Sequence, residues 1–433
     1  MKSNAKPGDR IKVEFLKKEY EGILLESPED EKEILLLKLD SGYNIGLIKK
    51  EIFNIEILQK AEEKREIQIP PKKNSGKPNI AMIITGGTIV ARLNPKKGGV
   101  DWLTSPEMLL KFYPGLFEKV NIAKIEIPFM KASEDMDFKD WQKIAKTAEN
   151  LLNDKNIKGI IITHGTDTLH YTSSALSFML KNLSKPVVLT YSQRSVDRAS
   201  SDANLNLKCA ALVAASDIAE VMIVGHGNSS DDFCYAMHGT KVKKMHSSKR
   251  DAFKVINDKP IAKIYENRIE FVEGAKFKHR EQAIKSGKKI KADTSFEEKI
   301  ALIKFYPGQN PEILDFYLKK GYKGIVIEMT GLGHVATKRA RNSWTKKLKE
   351  IIDKGLFVCA VTQCINGRVD ALVYSNGREI LETGVIYLED MLAETAFVKL
   401  GCILGKFKGK EKIKEEMLKN YAHEFNERLE FEE

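Results

Sequence analysis

Two threonines sit in glycine-bearing turns at the ends of continuous apolar runs. IAMIIT leads into Gly86-Gly87-Thr88-Ile89, and GIIIT leads into His164-Gly165-Thr166-Asp167-Thr168. A threonine hydroxyl attacks a carbonyl carbon only when a neighbouring base takes its proton. Paired glycines let the backbone reach φ > 0 and approach a ligand closely, so N–H groups around Thr88 could hold a developing oxyanion. The missing part is an activating group, which Thr166, Asp167 and a lysine could supply. A lysine with its ordinary pKa of ~10.4 becomes a base only through burial or cationic neighbours, and an aspartate beside it orients it.

Taken alone, the TGGT segment also fits a tight strand-to-helix turn that binds nothing or holds a phosphate. The glycine pair lacks the G-x-G-x-x-G spacing and no Walker lysine follows it, which argues against a dinucleotide or P-loop site. His164 invites a metal role, yet the chain has 8 histidines with no H-E-x-x-H and no His/Cys cluster. A packed, hydrogen-bonded histidine is the expectation there, and no metal is expected.

These turns need elements to hold them. From Asn79 onward, apolar strands alternate with amphipathic stretches such as FKDWQKIAKTAENLL, a rhythm that predicts an α/β fold with a parallel sheet covered on both faces. Ligands bind beyond the carboxyl ends of such strands, so both turns face one crevice if their strands are neighbours. Residues 1–60 carry five short alternating runs and predict a small β-barrel; 61–78, with charge, a Pro pair and Ser-Gly, reads as a linker. Residues 79–272 form the first α/β domain, 273–299 a Lys-rich exposed connector, and 300–405 a second α/β domain that includes ALVYS as a strand. The tail 406–433 reads as one amphipathic helix.

Length and composition bound the rest. At ~150 residues per domain, 433 residues make about three folding units, and 42% hydrophobic with 30% charged residues excludes a disordered or coiled-coil chain. Lys+Arg 71 against Asp+Glu 60 gives +11. Residues 1–60 hold 11 basic and 12 acidic side chains, so a basic nucleic-acid-binding arm is not expected there. The five cysteines form no C-x-x-C pair, and neither an apolar leader segment nor a run of ~18 apolar residues is present. A cytoplasmic protein with no membrane contact is expected.

ITGGTI at 84–89 with THGTDT at 163–168 resembles the L-asparaginase/glutaminase amidohydrolase family. The resemblance spans roughly 79–405 and implies two α/β domains with a site between them and a neighbouring protomer. It implies Thr88 as nucleophile, Thr166 and Asp167 as part of the activating relay, and Lys244 as its lysine, with the adjacent Lys243 as the alternative. Ser133 and Glu134 match the pair that binds the substrate's α-groups, although the family has Gln where Glu134 stands; Gly87 and Gly165 fall among the substrate-binding positions. The family's loop tyrosine has no counterpart in 91–102, which suggests different loop closure or a sluggish free enzyme.

The N-terminal barrel, the stretch from Ser192-Gln193-Arg194-Ser195 to Ser200-Ser201-Asp202, and HGTKVKKMHSSKRDAF at 238–253 resemble one branch, the D subunits of archaeal glutamyl-tRNA(Gln) amidotransferases. That resemblance implies glutamine hydrolysis, with ammonia passed to an E subunit of the amidotransferase. The E subunit would use ATP and Mg2+ to activate Glu-tRNA(Gln), in a D2E2 heterotetramer built on a D homodimer; no cofactor is expected on this chain itself. Residues 241–250 fit either RNA phosphate contacts or a catalytic lysine with a solvated flank. Two rivals remain at this point: a free-standing asparaginase with an accessory domain, and an idle scaffold that binds tRNA or a protein.

Overall fold

The computed structural model describes residues 4–25, 33–41, 43–60, 76–93, 100–102, 113, 116, 118–196, 198, 200–284 and 287–429. Most of the expected linker, the tip of the loop after Thr88, and Asp197 lie outside the described residues. The five alternating runs pair as one antiparallel sheet, Arg10–Phe15, Lys18–Leu25, Ile34–Leu39, Asn44–Ile48 and Ile52–Gln59, with the first strand between the second and the fifth. Their period-2 pattern buries Ile11, Val13, Leu24, Leu35, Leu37 and Leu47 together.

The centre of the molecule is an eight-stranded sheet. Five strands run parallel in the order Asn121–Glu126, Asn79–Ile84, Ile160–Thr163, Val187–Thr190 and Val221–His226. Both faces of the central strands Asn79–Ile84, Ile160–Thr163 and Val187–Thr190 are covered, which is why they are almost continuously apolar, whereas the edge strand Asn121–Glu126 keeps Lys124 and Glu126 exposed. Ala81, Ile83, Ile160 and Ile162 pack under helices Phe138–Leu152 and Leu169–Met179. Ile80, Met82, Ile84 and Ile161 pack against helix Ala203–Ala214 on the other side.

Beyond the parallel set the sheet turns antiparallel, through Cys234–His238, Ala262–Ile264 and Ile269–Phe271. Residues 227–233 are too few for a crossover, which takes a dozen or more, so the chain must reverse on itself. The connector does not hang free. Lys291–Ala292 pairs with Leu180–Lys181, Ile218 bridges His279, and the Phe271 and Phe277 rings stack at 4.9 Å.

The second α/β unit is a four-stranded parallel sheet of Ile300–Lys304, Gly324–Met329, Phe357–Thr362 and Ile386–Tyr387. The fourth strand is thus not ALVYS, whose Leu372, Val373 and Tyr374 are exposed. Helix Ala393–Lys406 covers one face and packs on Leu169–Met179, where Ser174 and Thr395 hydroxyls meet at 3.0 Å and join the two domains. The tail is also not one helix. Gly409, at φ 87, separates Ala393–Lys406 from the short helix Lys410–Leu418, and the chain through residue 429 is irregular. All five cysteines are free, and among the described residues no helix is long and apolar enough to cross a membrane.

Candidate active site

The register Ile84↔Thr163 sets the two turns side by side at the carboxyl edge of the sheet. Thr85 fastens the first to the second, donating from its N–H at 3.3 Å and from Oγ1 at 2.7 Å to the Thr163 carbonyl. Gly86 and Gly87 adopt φ 127 and 88. A Cβ on Gly87 would lie 2.5 Å from the His164 carbonyl and 2.6 Å from the Gly165 nitrogen, so the turns touch backbone to backbone and only glycine fits. Thr88, half-buried, opens the single helical turn Thr88–Val90 directly after this contact.

A third segment closes on the same place. The Lys131 N–H donates to the Thr85 carbonyl (3.0 Å), and the turn Ser133–Asp135 follows. Thr168 Oγ1 donates to the Ser133 carbonyl at 2.6 Å, and a Cβ on Gly165 would come within 2.9 Å of Ser133 Oγ. Ser133 is buried and its hydroxyl faces the exposed Glu134 carboxylate at 3.4 Å. Gly87, Gly165 and Ser133 therefore form one continuous wall, with Glu134 at its rim.

Lys244 arrives from the other side. It ends the short strand Val242–Lys244, which pairs with Phe253–Val255. Its Nζ donates to Thr166 Oγ1 at 2.8 Å and to Asp167 Oδ1 at 2.7 Å, with the lysine side chain 10% exposed and that of Asp167 62% exposed. Successive side chains of a strand point opposite ways, and Lys243 instead pairs with Glu394 of the second domain. Of the two adjacent lysines, Lys244 reaches Thr166 and Asp167.

Three stretches match known domain families: the asparaginase N-terminal domain over 79–276, the glutaminase/asparaginase C-terminal domain over 299–417, and the GatD N-terminal domain over 5–58. The D subunit of glutamyl-tRNA(Gln) amidotransferase from Pyrococcus furiosus is 47% identical over 96% of this chain and 93% of its own length. Its counterpart from Methanococcus maripaludis is 41% identical over 98% and 99%. The chain belongs to the family of glutamyl-tRNA(Gln) amidotransferase D subunits. The thermostable L-asparaginase of Thermococcus kodakarensis superposes with a TM-score of 0.70 at 29% identity, covering 81% of this chain and all of that one.

In this member of the D-subunit family, His164 is the packed residue expected from the sequence. It is fully buried, with Nε2 2.9 Å from Thr172 Oγ1 and Nδ1 2.7 Å from the Gly165 carbonyl. Burial pushes its pKa down to about 4, so at neutral pH it is an uncharged brace under the turn.

The sequence reading did not single out His170 and Glu394. His170 follows the Thr166 turn, on helix Leu169–Met179, and burial likewise lowers it to about 4. Its Nε2 lies 3.8 Å from Glu394. Burial alone would raise the Glu394 carboxyl, but the Lys243 ammonium and His170 hold it below the usual range. The two domains thus meet in a charged cluster next to Lys244, which no local motif announces.

Proposed function

We propose that this chain is the glutamine-hydrolysing, ammonia-supplying component of an amidotransferase that converts Glu-tRNA(Gln) to Gln-tRNA(Gln). The observation that carries the reading is Lys244 bonded to both Thr166 and Asp167, beside a glycine turn that presents Thr88. The similarity over residues 5–58, as well as over the asparaginase-like part, supports an amidotransferase over a free-standing asparaginase.

Thr88 Oγ attacks the side-chain amide carbon of glutamine, and its proton passes into the relay of Thr166 and Lys244, with Asp167 orienting the lysine. Backbone N–H groups around Gly87 receive the oxyanion. The relay returns the proton to the amide nitrogen, the C–N bond breaks, and ammonia leaves a glutamyl ester on Thr88. Water then cleaves that ester through the same relay, releasing glutamate and restoring the hydroxyl. Ser133, Glu134 and Gly165 line the end of the site that takes the substrate's α-amino and α-carboxylate groups.

In the assembled enzyme, ammonia passes to an E subunit that activates the glutamyl carboxylate of Glu-tRNA(Gln) with ATP and Mg2+, so no step on this chain requires either. A cytoplasmic D2E2 heterotetramer built on a D homodimer completes the reading. A glutamine analogue with an electrophilic ketone in place of the amide tests it: mass spectrometry should place one adduct per chain on Thr88. An adduct on any other residue contradicts the assignment.

A further inference from the structure

Strand Val242–Lys244 pairs, among the described residues, only with Phe253–Val255. A two-stranded ribbon is marginal by itself, yet a working relay needs its groups held to within about 0.5 Å. The residues just before Lys244 carry the restraint. His238 Nδ1 donates to Glu220 Oε2 (2.8 Å), and the Gly239 carbonyl accepts from Ser173 Oγ (2.6 Å). The Thr240 carbonyl accepts from Thr395 Oγ1 (2.8 Å), and Lys241 Nζ meets Asp390 Oδ2 at 2.5 Å with both side chains fully buried.

The irregular end of the chain locks onto the same residues. Thr240 Oγ1 donates to the Ala422 carbonyl (2.6 Å), 182 residues away in sequence. His423, held at φ 60, donates from Nε2 to Glu220 Oε1 (2.9 Å). Glu220, His238 and His423 bring metal-ligating atoms within 4.8 Å of one another, but each carboxylate oxygen already accepts from one imidazole, so the trio works as a hydrogen-bonded clasp. Glu424 caps the turn by accepting from the Tyr421 and Ala422 N–H groups, and pairs with Lys399 at 2.7 Å, both side chains fully buried. Asn426 completes the ring: its N–H donates to Asp390 Oδ1 (2.9 Å), and its Nδ2 donates to Asp390 Oδ2 (3.0 Å) and to the Asn257 carbonyl (2.5 Å).

We propose that residues 421–426 form a strap that positions Lys244, with Thr240 and Asn426 as positioning residues acting through the backbone of 240–244 and through Asp390. The strap rests on the reading of Lys244 as part of the relay. It ties glutamine hydrolysis to the docking of a segment that follows both α/β domains, so loosening the strap slows the chemistry without altering the substrate pocket.

The test is ammonia release from glutamine by the full chain carrying Thr240→Val, Thr240→Ser or Asn426→Ala, with Lys244→Ala as reference. Loss of either anchor should lower kcat by about tenfold with KM within about twofold, because misplacement by a fraction of an ångström acts on the transition state. Thr240→Ser, which keeps the hydroxyl, should recover most of the rate. Asn426 lies in the partly exposed tail, so Asn426→Ala remains informative if Thr240→Val fails to fold. Parent kcat in both Thr240→Val and Asn426→Ala while Lys244→Ala is inactive overturns the strap alone. Parent kcat in Lys244→Ala overturns the relay and the strap with it. An equal loss in Thr240→Ser also overturns the strap, because the bond to Ala422 would then not be the cause.

Discussion

Lys244 Nζ lies 2.8 Å from Thr166 Oγ1 and 2.7 Å from Asp167 Oδ1, joining the end of a three-residue strand to a turn 78 positions earlier. The lysine is mostly buried and the aspartate mostly exposed. Solvent therefore reaches Asp167, the group proposed to orient the relay, while Lys244 itself stays screened. The arrangement places Lys244, the proposed proton carrier, against the turn that abuts the one bearing Thr88, and several outcomes follow from that proposal.

Lys244→Ala removes the relay's lysine and should cost about 10²–10⁴ in kcat for glutamine hydrolysis. Lys243→Ala breaks only the Glu394 pair and should cost at least an order of magnitude less. Steady-state kinetics on both variants checks this, and the reverse ranking would reassign the lysine.

Thr88→Ala should abolish glutamine-dependent activity while leaving assembly and ammonia-driven amidation of Glu-tRNA(Gln) intact. Both half-reactions can be followed in one preparation. Retained ammonia release from glutamine would falsify the nucleophile.

Gly87→Ala tests the contact between the turns. The added methyl would meet the His164 carbonyl carbon and oxygen at 2.5 Å, in a backbone conformation that L-residues rarely adopt. A stability loss of about 1–3 kcal/mol and loss of most activity are expected, read by thermal melting and by ammonia release.

The two buried histidines give a pH dependence with a definite sign. His164 and His170 fall from an unfolded value of 6.5 to about 4 in the folded chain. Between those values the unfolded chain binds protons that the folded chain refuses, so stability is full above about pH 6.5 and drains away as pH falls towards 4. Each group contributes up to about 3 kcal/mol across that window. Urea unfolding at pH 7 and pH 5 should show the loss, and His170→Gln should reduce it by the share of one proton; an unchanged slope would contradict the assignment.

Much of the site was legible in the sequence because it is local. Gly86, Gly87 and Thr88, like Gly165, Thr166 and Asp167, each follow a short apolar run whose β-α rhythm with its neighbours marks it as a buried strand, and parallel pairing then brings their ends together. The preference for Lys244 over Lys243 came from the resemblance and not from local pattern: strand alternation sends Lys244 to Thr166 and Asp167, and three residues are too few to show that alternation in the sequence. His170 and Glu394 stayed hidden because Lys243 and Glu394 are 151 positions apart and nothing local marks the pairing. ALVYS reads as a strand from its apolar content, yet its exposed Leu372 and Tyr374 lie outside the sheet, and the strand is the less conspicuous Ile386–Tyr387. The tail reads as a helix from its mixed charge, but Glu424 and Asn426 are used up as partners for Lys399 and Asp390, which a continuous helix through 419–429 would not present in that way.

The most direct measurement is ammonia release from glutamine and from asparagine by the purified chain, alone and then with the E subunit, ATP, Mg2+ and Glu-tRNA(Gln). A glutamine-dependent amidotransferase component should release ammonia faster from glutamine in the full mixture, with Gln-tRNA(Gln) appearing in step. Rapid asparagine hydrolysis by the chain alone, unchanged by the additions, would contradict that function and leave an asparaginase with an added N-terminal domain.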